Sequence, residues 1–518
     1  MDLRGQRATV IGLAREGTAL ARFLAECGAT VTVSDIKSHE ELSESIEALA
    51  SLPIRFMLGG HPTEILEADV AFVSPGVPLE IPILAEARKR GIPISSETRL
   101  FAQLCPAPII GITGSSGKTT TTALVGGMLE KAGYRTWMGG NIGQPLIGYL
   151  TDIRPEDKVV MEFSSFQLEF FASWPRGRAT RPVASLVLSP ALSKVEGEVE
   201  GMENTTQGPF AFTGRGWSPP IAAILNITPN HLDRHPTMEA YIEAKVNILR
   251  HQGPDDVAVL GYDNPITSNL KSHISNLKSR PVLSFSLQTE VEQGAFVRAC
   301  PEPSPERSRR GSRRDGKVVL RLGQEEWQIC AVTDVKLLGQ HNLENVLAAC
   351  AIAGAAGADP QSMAEVATTF AGVEHRLELV RTLREVRYYN DSIATSPERT
   401  VAALRSFEEP IVLLAGGRDK HLPWEEMAQL TLRKVRHLVL FGEAVPIIER
   451  AIHDAQRTMH NAQLAIHRCG TLEEAVEVAA RSAQPGDVVL LAPGGTSFDA
   501  FRDFAERGER FRELVGAL

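Results

Sequence analysis

Pro108-Ile109-Ile110-Gly111-Ile112-Thr113-Gly114-Ser115-Ser116-Gly117-Lys118-Thr119-Thr120 is an apolar run, a glycine-rich turn and a lysine followed by threonines. The pattern predicts a buried strand, a tight loop and a helix that starts near Lys118. Glycines let backbone N–H groups curl around an anion, the helix N-terminus adds positive dipole, and Lys118 adds a full charge. Thr119 places a hydroxyl where a phosphate-bound Mg2+ needs an oxygen. Gly114, Ser115, Ser116, Gly117, Lys118, Thr119 and Thr120 are therefore the candidate triphosphate cradle. The strict pattern has glycine where Ile112 stands, so the motif needs downstream metal ligands to support it.

Two stretches supply them. Val159-Val160-Met161-Glu162 reads as a strand ending in an acid, which suits Mg2+ beside a phosphate loop. Ile224-Leu225-Asn226-Ile227-Thr228 reads as another strand, leading into Pro229-Asn230-His231-Leu232-Asp233-Arg234-His235. His231 at that sheet edge is a candidate ligand for a second metal. Lys245 lies in a predicted amphipathic helix, Met238–Leu249, and taken alone reads as a surface lysine.

The chain has 518 residues, too many for a single core, so several domains are expected. Hydrophobic residues at 43% and charged residues at 23% are globular proportions. A net charge of −9 argues against nucleic acid or a membrane surface as partner. The 6 cysteines form no C-x-x-C pair, which argues against a zinc knuckle or a disulfide framework. No stretch approaches the ~18 apolar residues of a membrane span, and the N-terminus reads as a strand rather than a signal peptide. A cytoplasmic location is expected.

Residues 7–13 and 29–35 read as two strands around a helix, with Gly12 and Gly17 at the turn and Asp35 at the second strand end. The dinucleotide fingerprint asks for glycine at Ala14, so a pyrophosphate is expected there rather than NAD. Ala71–Pro78 gives another strand and loop at the same edge. Farther on, strands at 411–415, 438–441 and 488–492 put Gly416–Lys420 and Pro493–Ser497 at carboxyl ends, where open α/β sheets bind ligands. The expected architecture is α/β in three domains: a Rossmann-like N-terminal domain (1–95), a central phosphate-loop mononucleotide-binding domain (96–372) and a Rossmann-like C-terminal domain (373–518). Hinges are expected near residues 95 and 372. Three stretches of the central domain read as irregular surface insertions: 175–220, 265–280 and 301–314. The second holds Ser268-Asn-Leu-Lys-Ser272, repeated as Ser275-Asn-Leu-Lys-Ser279.

The ordered set Gly111–Thr120, Gly139-Gly140-Asn141-Ile142-Gly143, Glu162-Phe-Ser-Ser-Phe-Gln-Leu-Glu169 and Asn226–Arg234 resembles the Mur ligases. So do Leu338-Gly-Gln-His-Asn342, Glu374-His-Arg376 and Tyr389-Asn-Asp-Ser392. The Ser164–Glu169 block resembles the branch that adds D-glutamate. The resemblance implies an ATP-dependent ligase of peptidoglycan precursor synthesis, a monomer acting on D-glutamate and UDP-N-acetylmuramoyl-L-alanine. It implies two Mg2+ ions held by Thr119, Glu162, His231 and a carbamylated Lys245, with Lys118 catalytic beside them. It also implies nucleotide contacts from Asn342, Arg376 and Asp391. The UDP-substrate would meet Arg15, Glu16, Asp35, Ser74, Pro75, Gly76, Asn141 and Ser164, and D-glutamate would meet Thr395, Lys420, Ser497 and Phe504. Some relatives carry lysine where this chain has Ile393, and Lys420 or Arg418 is expected to compensate. Three rivals stand beside this reading. A sister ligase would add another amino acid, although the third domain lacks an Asp-Asn-Pro-Arg motif. A nicotinamide oxidoreductase would leave Lys118, Glu162 and His231 unexplained. A non-catalytic nucleotide-binding homologue would fit the 175–220 insertion, which interrupts the chain between Glu162 and His231.

Overall fold

The computed structural model describes residues 3–141, 144–172, 216–230, 234–274, 280–299, 316–337, 339–419, 422–458 and 464–518. His231, Lys420, the 301–314 stretch and nearly all of the 175–220 stretch lie outside the described residues.

Three sheets carry the chain. The first comprises β1 (Arg7–Ile11), β2 (Thr30–Asp35), β3 (Ile54–Leu58), β4 (Val70–Val73) and β5 (Ile94–Ser95), in the order β3-β2-β1-β4-β5. All its pairs are parallel. β1 and β4 are buried over nearly their whole length, as expected of parallel strands covered on both faces. The second sheet has nine strands: β6 (Ile109–Thr113), β7 (Thr136–Gly140), β8 (Lys158–Glu162), β9 (Ile221–Ile224), β10 (Val257–Gly261), β11 (Val282–Ser286), β12 (Gly294–Ala299), β13 (Gly316–Leu322) and β14 (Glu325–Ala331). Their order is β14-β13-β12-β11-β10-β9-β6-β8-β7. The third comprises β15 (Glu378–Leu383), β16 (Val386–Asn390), β17 (Ile411–Gly416), β18 (Val435–Phe441), β19 (Ala465–Arg468) and β20 (Val488–Gly494), ordered β15-β16-β20-β17-β18-β19. Its pairs are parallel except for the antiparallel hairpin β15–β16.

The structure corrects two local expectations. β9 ends at Ile224, short of Thr228, because the next residues turn their polar groups onto the phosphate loop: Ser115 N donates to Asn226 O at 2.9 Å. The first copy of the repeat is not irregular. Asn264 caps a helix over Pro265–His273 by accepting from Thr267 N at 3.1 Å, Pro265 occupies the first turn, and Thr267 and Leu270 are buried. The second copy lies outside the described residues.

Residue 95, where a hinge is expected, lies within one compact unit. The described chain divides into two compact units, Met1–Phe296 with Val319–Trp327 and Ala348–Met363, and Val297–Val318 with Gln328–Leu347 and Ala364–Leu518. Within the first, one core runs from Leu24 and Phe72 of the first sheet layer through Phe101 to Ile109, Met161, Phe163 and Ile248. Ser95 is fully buried, and Ser96 caps the helix Glu97–Leu104 by accepting from Arg99 N. The hinge expected near 95 thus falls on a packed strand-to-helix joint.

Candidate active site

β6 delivers the chain into the phosphate loop, and Gly117 closes it with φ +82°, a left-handed conformation that side-chain-bearing residues avoid. The helix Lys118–Lys131 follows directly, so the N–H groups of its first turn lack intrahelical partners and face the loop. The loop is pinned from below. Ser116 N donates to Asn226 Oδ1 at 2.9 Å, and Ser115 Oγ donates to Thr228 O at 3.0 Å.

Glu162, at the end of β8, is buried among neutral donors. Thr119 Oγ1 donates to its Oε2 at 2.8 Å, and Asn141 Nδ2 to its Oε1 at 2.9 Å. Gly140 makes the approach of Asn141 possible: its φ is +90°, and a Cβ there would lie 2.3 Å from Glu162 O. A carboxylate and a hydroxyl, both hard oxygen donors beside a phosphate loop, form a donor set that fits Mg2+. Among the described residues no group of three or more His, Cys, Asp or Glu could hold a metal; His231 falls outside that set.

Lys245 is not the surface lysine its helix suggested. It is 2% exposed, and its Nζ donates to Gly114 O at 3.0 Å and Thr113 Oγ1 at 3.3 Å, 4.8 Å above the Tyr241 ring. Lys118 Nζ donates to the same Gly114 carbonyl at 3.2 Å. Burial, then the nearby Lys118 charge, holds the Lys245 amine well below the ordinary lysine value, against the opposing pull of Glu162.

The first sheet's carboxyl edge belongs to the same unit. Asp35 spends both oxygens on backbone, accepting from Leu13 N at 2.7 Å and Lys37 N at 2.9 Å. Ser74 Oγ donates to Gly12 O at 2.7 Å. These bonds shape the loops from within, and Arg15 is left exposed at their rim. Arg234 donates to Pro75 O at 3.3 Å and Gly76 O at 3.2 Å while lying 4.6 Å over the Phe166 ring. Phe166 stacks on buried His235, whose Nε2 sits 2.9 Å from Ser165 Oγ and whose Nδ1 sits 3.4 Å from Glu169.

Gln167 is the hub. Its amide nitrogen donates to Glu16 Oε1 at 2.9 Å and Thr98 Oγ1 at 3.1 Å. Its oxygen accepts from Ser164 N at 2.9 Å, closing a capping box on the helix Ser165–Glu169. Glu16 is buried, and desolvation raises its carboxyl to about 7, against Arg15 and the Gln167 bond. Glu97 is pushed to about 8 by burial and by Glu16.

The second unit holds the remaining described residues. Asn342 Oδ1 accepts from Asn345 Nδ2 at 3.1 Å. Arg376 sits between two left-handed residues, His375 (φ +60°) and Leu377 (φ +45°). Asp391 accepts from Leu377 N at 3.1 Å, and burial lifts its carboxyl to about 6 despite Arg376. Ser497 is buried and Phe504 exposed, while Thr395 N donates to Ile393 O at 2.8 Å. Arg418 is engaged elsewhere, ion-paired with exposed Glu443 at 2.8 Å, which weakens it as the compensating charge for Ile393. Gln167, Arg234 and His235 received no role from sequence, although all three lie in or beside quoted motifs.

Comparisons with known proteins agree with this geometry. Residues 6–96 match the Mur ligase MurD-like, N-terminal domain, 202–353 the Mur ligase middle domain, and 375–495 the Mur ligase, glutamate ligase domain. The chain is 40% identical over 516 residues to a UDP-N-acetylmuramoylalanine–D-glutamate ligase of Symbiobacterium thermophilum, covering 99% of this chain and 98% of the relative. It is 37% identical over 518 residues to the enzyme of that name from Acetivibrio thermocellus, covering 100% and 97%. A solved UDP-N-acetylmuramate-alanine ligase from Thermotoga maritima superposes with a TM-score of 0.57 at 18% identity over 99% of both chains. With three domain matches in order and full-length relatives, the chain belongs to the Mur ligase family.

Proposed function

We propose that this protein joins D-glutamate to UDP-N-acetylmuramoyl-L-alanine in a condensation coupled to cleavage of ATP into ADP and phosphate. What carries the reading is the near-complete overlap with ligases of that activity, together with an intact phosphate loop facing Glu162 and Lys245. Residues 1–95, 96–372 and 373–518 would serve the UDP-substrate, ATP and the amino acid respectively.

In this reading the L-alanyl carboxylate attacks the γ-phosphate, ADP leaves, and the D-glutamate amine displaces phosphate from the acyl phosphate. Lys118 and the first-turn N–H groups hold the phosphates in line. Thr119, Glu162, His231 and Lys245 would hold two Mg2+ ions, which neutralise charge that develops on the transferred phosphoryl group. Lys245 supports this only as an anion. A buried, uncharged amine is the form that reacts with carbon dioxide, and its carbamate would supply an oxygen ligand where an ammonium would repel the metal. Asn342, Arg376 and Asp391 would contact the nucleotide. The loops at Arg15, Glu16, Asp35, Ser74, Pro75 and Gly76, with Asn141 and Ser164, would hold the UDP-substrate. Thr395, Lys420, Ser497 and Phe504 would receive D-glutamate. Holding both reactants aligned supplies about 7–11 kcal/mol of barrier reduction.

The test is phosphate release from the full-length protein with ATP, Mg2+ and UDP-N-acetylmuramoyl-L-alanine, comparing D-glutamate with L-glutamate, L-alanine and diaminopimelate. Release that requires D-glutamate is expected. Release with another amino acid would move the protein to a sister ligase, and none at all would favour a non-catalytic homologue.

A further inference from the structure

The helix Phe504–Ala517 carries Arg507, the bulkiest fully buried side chain among the described residues, at 0% exposure. Its Nε donates to Ser392 Oγ at 3.0 Å and its Nη2 to Ser392 O at 2.8 Å, while Nη1 and Nη2 both reach Gly495 O at 3.4 Å. Ser392 Oγ in turn donates to Phe504 O at 2.8 Å. A Cβ on Gly417 would lie 3.0 Å from Arg507 Nη1. Ser392, Gly495 and Gly417 follow β16, β20 and β17, three neighbours at the centre of the third sheet. One guanidinium therefore spans three adjacent strand ends, on the edge where open α/β sheets receive ligands.

All four of these hydrogen bonds go to neutral oxygens. The acid that acts on Arg507 is Asp499, without a direct bond, and burial outweighs it, drawing the guanidinium down to about 10. A buried cation without a bonded anion is costly, because water is lost and no carboxylate replaces it. This fold keeps one beside the loops that carry Thr395 and Ser497, one helical turn after Phe504. Of the other charges after these strands, Arg418 is paired with Glu443, Lys420 lies outside the described residues, and position 393 is isoleucine.

We propose that Arg507 is the positioning residue of the amino-acid pocket: it locks the Ser392 and Gly495 loops into one wall and biases that wall toward a dicarboxylate. It is sealed from solvent, so it acts through those loops and through Phe504. The inference rests on the D-glutamate reading above.

The experiment uses full-length Arg507→Lys, Arg507→Gln and Ser392→Ala, with initial rates at varied D-glutamate, ATP and UDP-substrate, and melting temperatures alongside. Arg507→Lys, which keeps charge but loses the fork, is expected to raise the D-glutamate KM roughly 10- to 100-fold, the range of lost bonds to a charged group. The KM for the UDP-substrate should hold within about 2-fold, because its loops lie in the other unit. Arg507→Gln should be worse than Arg507→Lys, and Ser392→Ala milder than both. If Arg507→Gln does not fold, the other two decide. An unchanged D-glutamate KM in Arg507→Lys and Ser392→Ala, or an equal rise in all three KM values, would overturn the proposal. If wild type itself releases no phosphate with D-glutamate, the functional reading fails instead. Hydrogen exchange then decides whether Arg507 locks the loops: Arg507→Lys should speed exchange at 392–395 and 495–497 about 10-fold, and unchanged protection would refute it.

Discussion

Replacing Glu97 by glutamine should make the protein more stable in alkaline solution and change it little in mild acid. Glu97 opens the helix Glu97–Leu104 at 5% exposure, accepts from Thr98 Oγ1 at 3.2 Å, and lies near the buried Glu16 carboxyl. Burial first, and the charge of Glu16 second, push its carboxyl from 4.5 to about 8. The folded state thus holds a proton that the unfolded chain gives up between those values. By linkage, the stability Glu97 contributes is complete below about pH 4.5 and is lost as pH rises to about 8. The gap of about 3.5 pH units corresponds to roughly 5 kcal/mol at most. Part of that is repulsion shared with Glu16, so about 3 kcal/mol is expected for the variant at pH 8.5. At roughly 2 °C per kcal/mol for a unit of this size, the melting midpoint should rise by about 6 °C at pH 8.5 and by only about 1 °C at pH 5. Thermal unfolding of both proteins in matched buffers from pH 5 to 9 measures this. A difference that stays constant across the range, or one that grows toward acid, would refute the buried neutral pair.

Gly140→Ala should lower stability by roughly 2–5 kcal/mol, because a Cβ 2.3 Å from Glu162 O at φ +90° combines overlap with left-handed strain; denaturant unfolding and loss of phosphate release check it. Lys245→Met should lower turnover by about 1,000-fold, since methionine brings neither the buried amine nor a carbamate oxygen to the phosphate loop. Wild type, and not the variant, should show a carbamate signal by NMR in 13C-bicarbonate. Arg234→Lys, which loses the fork across Pro75 O and Gly76 O, should raise the UDP-substrate KM by roughly 3- to 10-fold with kcat nearly unchanged.

The parts of the fold that sequence made legible are those where local chemistry and burial agree. Ile109–Thr113 is buried throughout, as a strand covered on both faces is, and Gly117 sits at a left-handed backbone angle that favours glycine. The hairpin β15–β16 was invisible because Arg384 and Glu385 adopt φ of +50° and +62°, a turn usually written with asparagine and glycine. The helix Pro265–His273 was hidden by its repeated polar composition, although Asn264-Pro265 is a helix start. The placement of Lys118 at a helix start and of Glu162 at a strand end follows the expected pattern, because both positions are set by local sequence. Lys245 looked like any helical lysine, because its burial depends on Gly114 and Tyr241, far away in sequence. Gln167 sits in a quoted motif, yet its partners Glu16 and Thr98 lie 151 and 69 residues distant. Arg507 reads as one more charge in a charged helix, and only the convergence of three strand ends on it sets it apart.

The continuous core shared by the first two sheet layers bears on how such a chain can diversify. Trimming it at Ser95 would strip Phe101, Ile109 and Phe163 of neighbours on one side and leave Gln167 without Glu16. A donor domain of different preference therefore cannot be exchanged as a cassette at that point without rebuilding the seam. On the proposed function, new substrate preference would be written into the rim loops, at Arg15, Ser74-Pro75-Gly76 and Ser164, with the framework beneath left as it is.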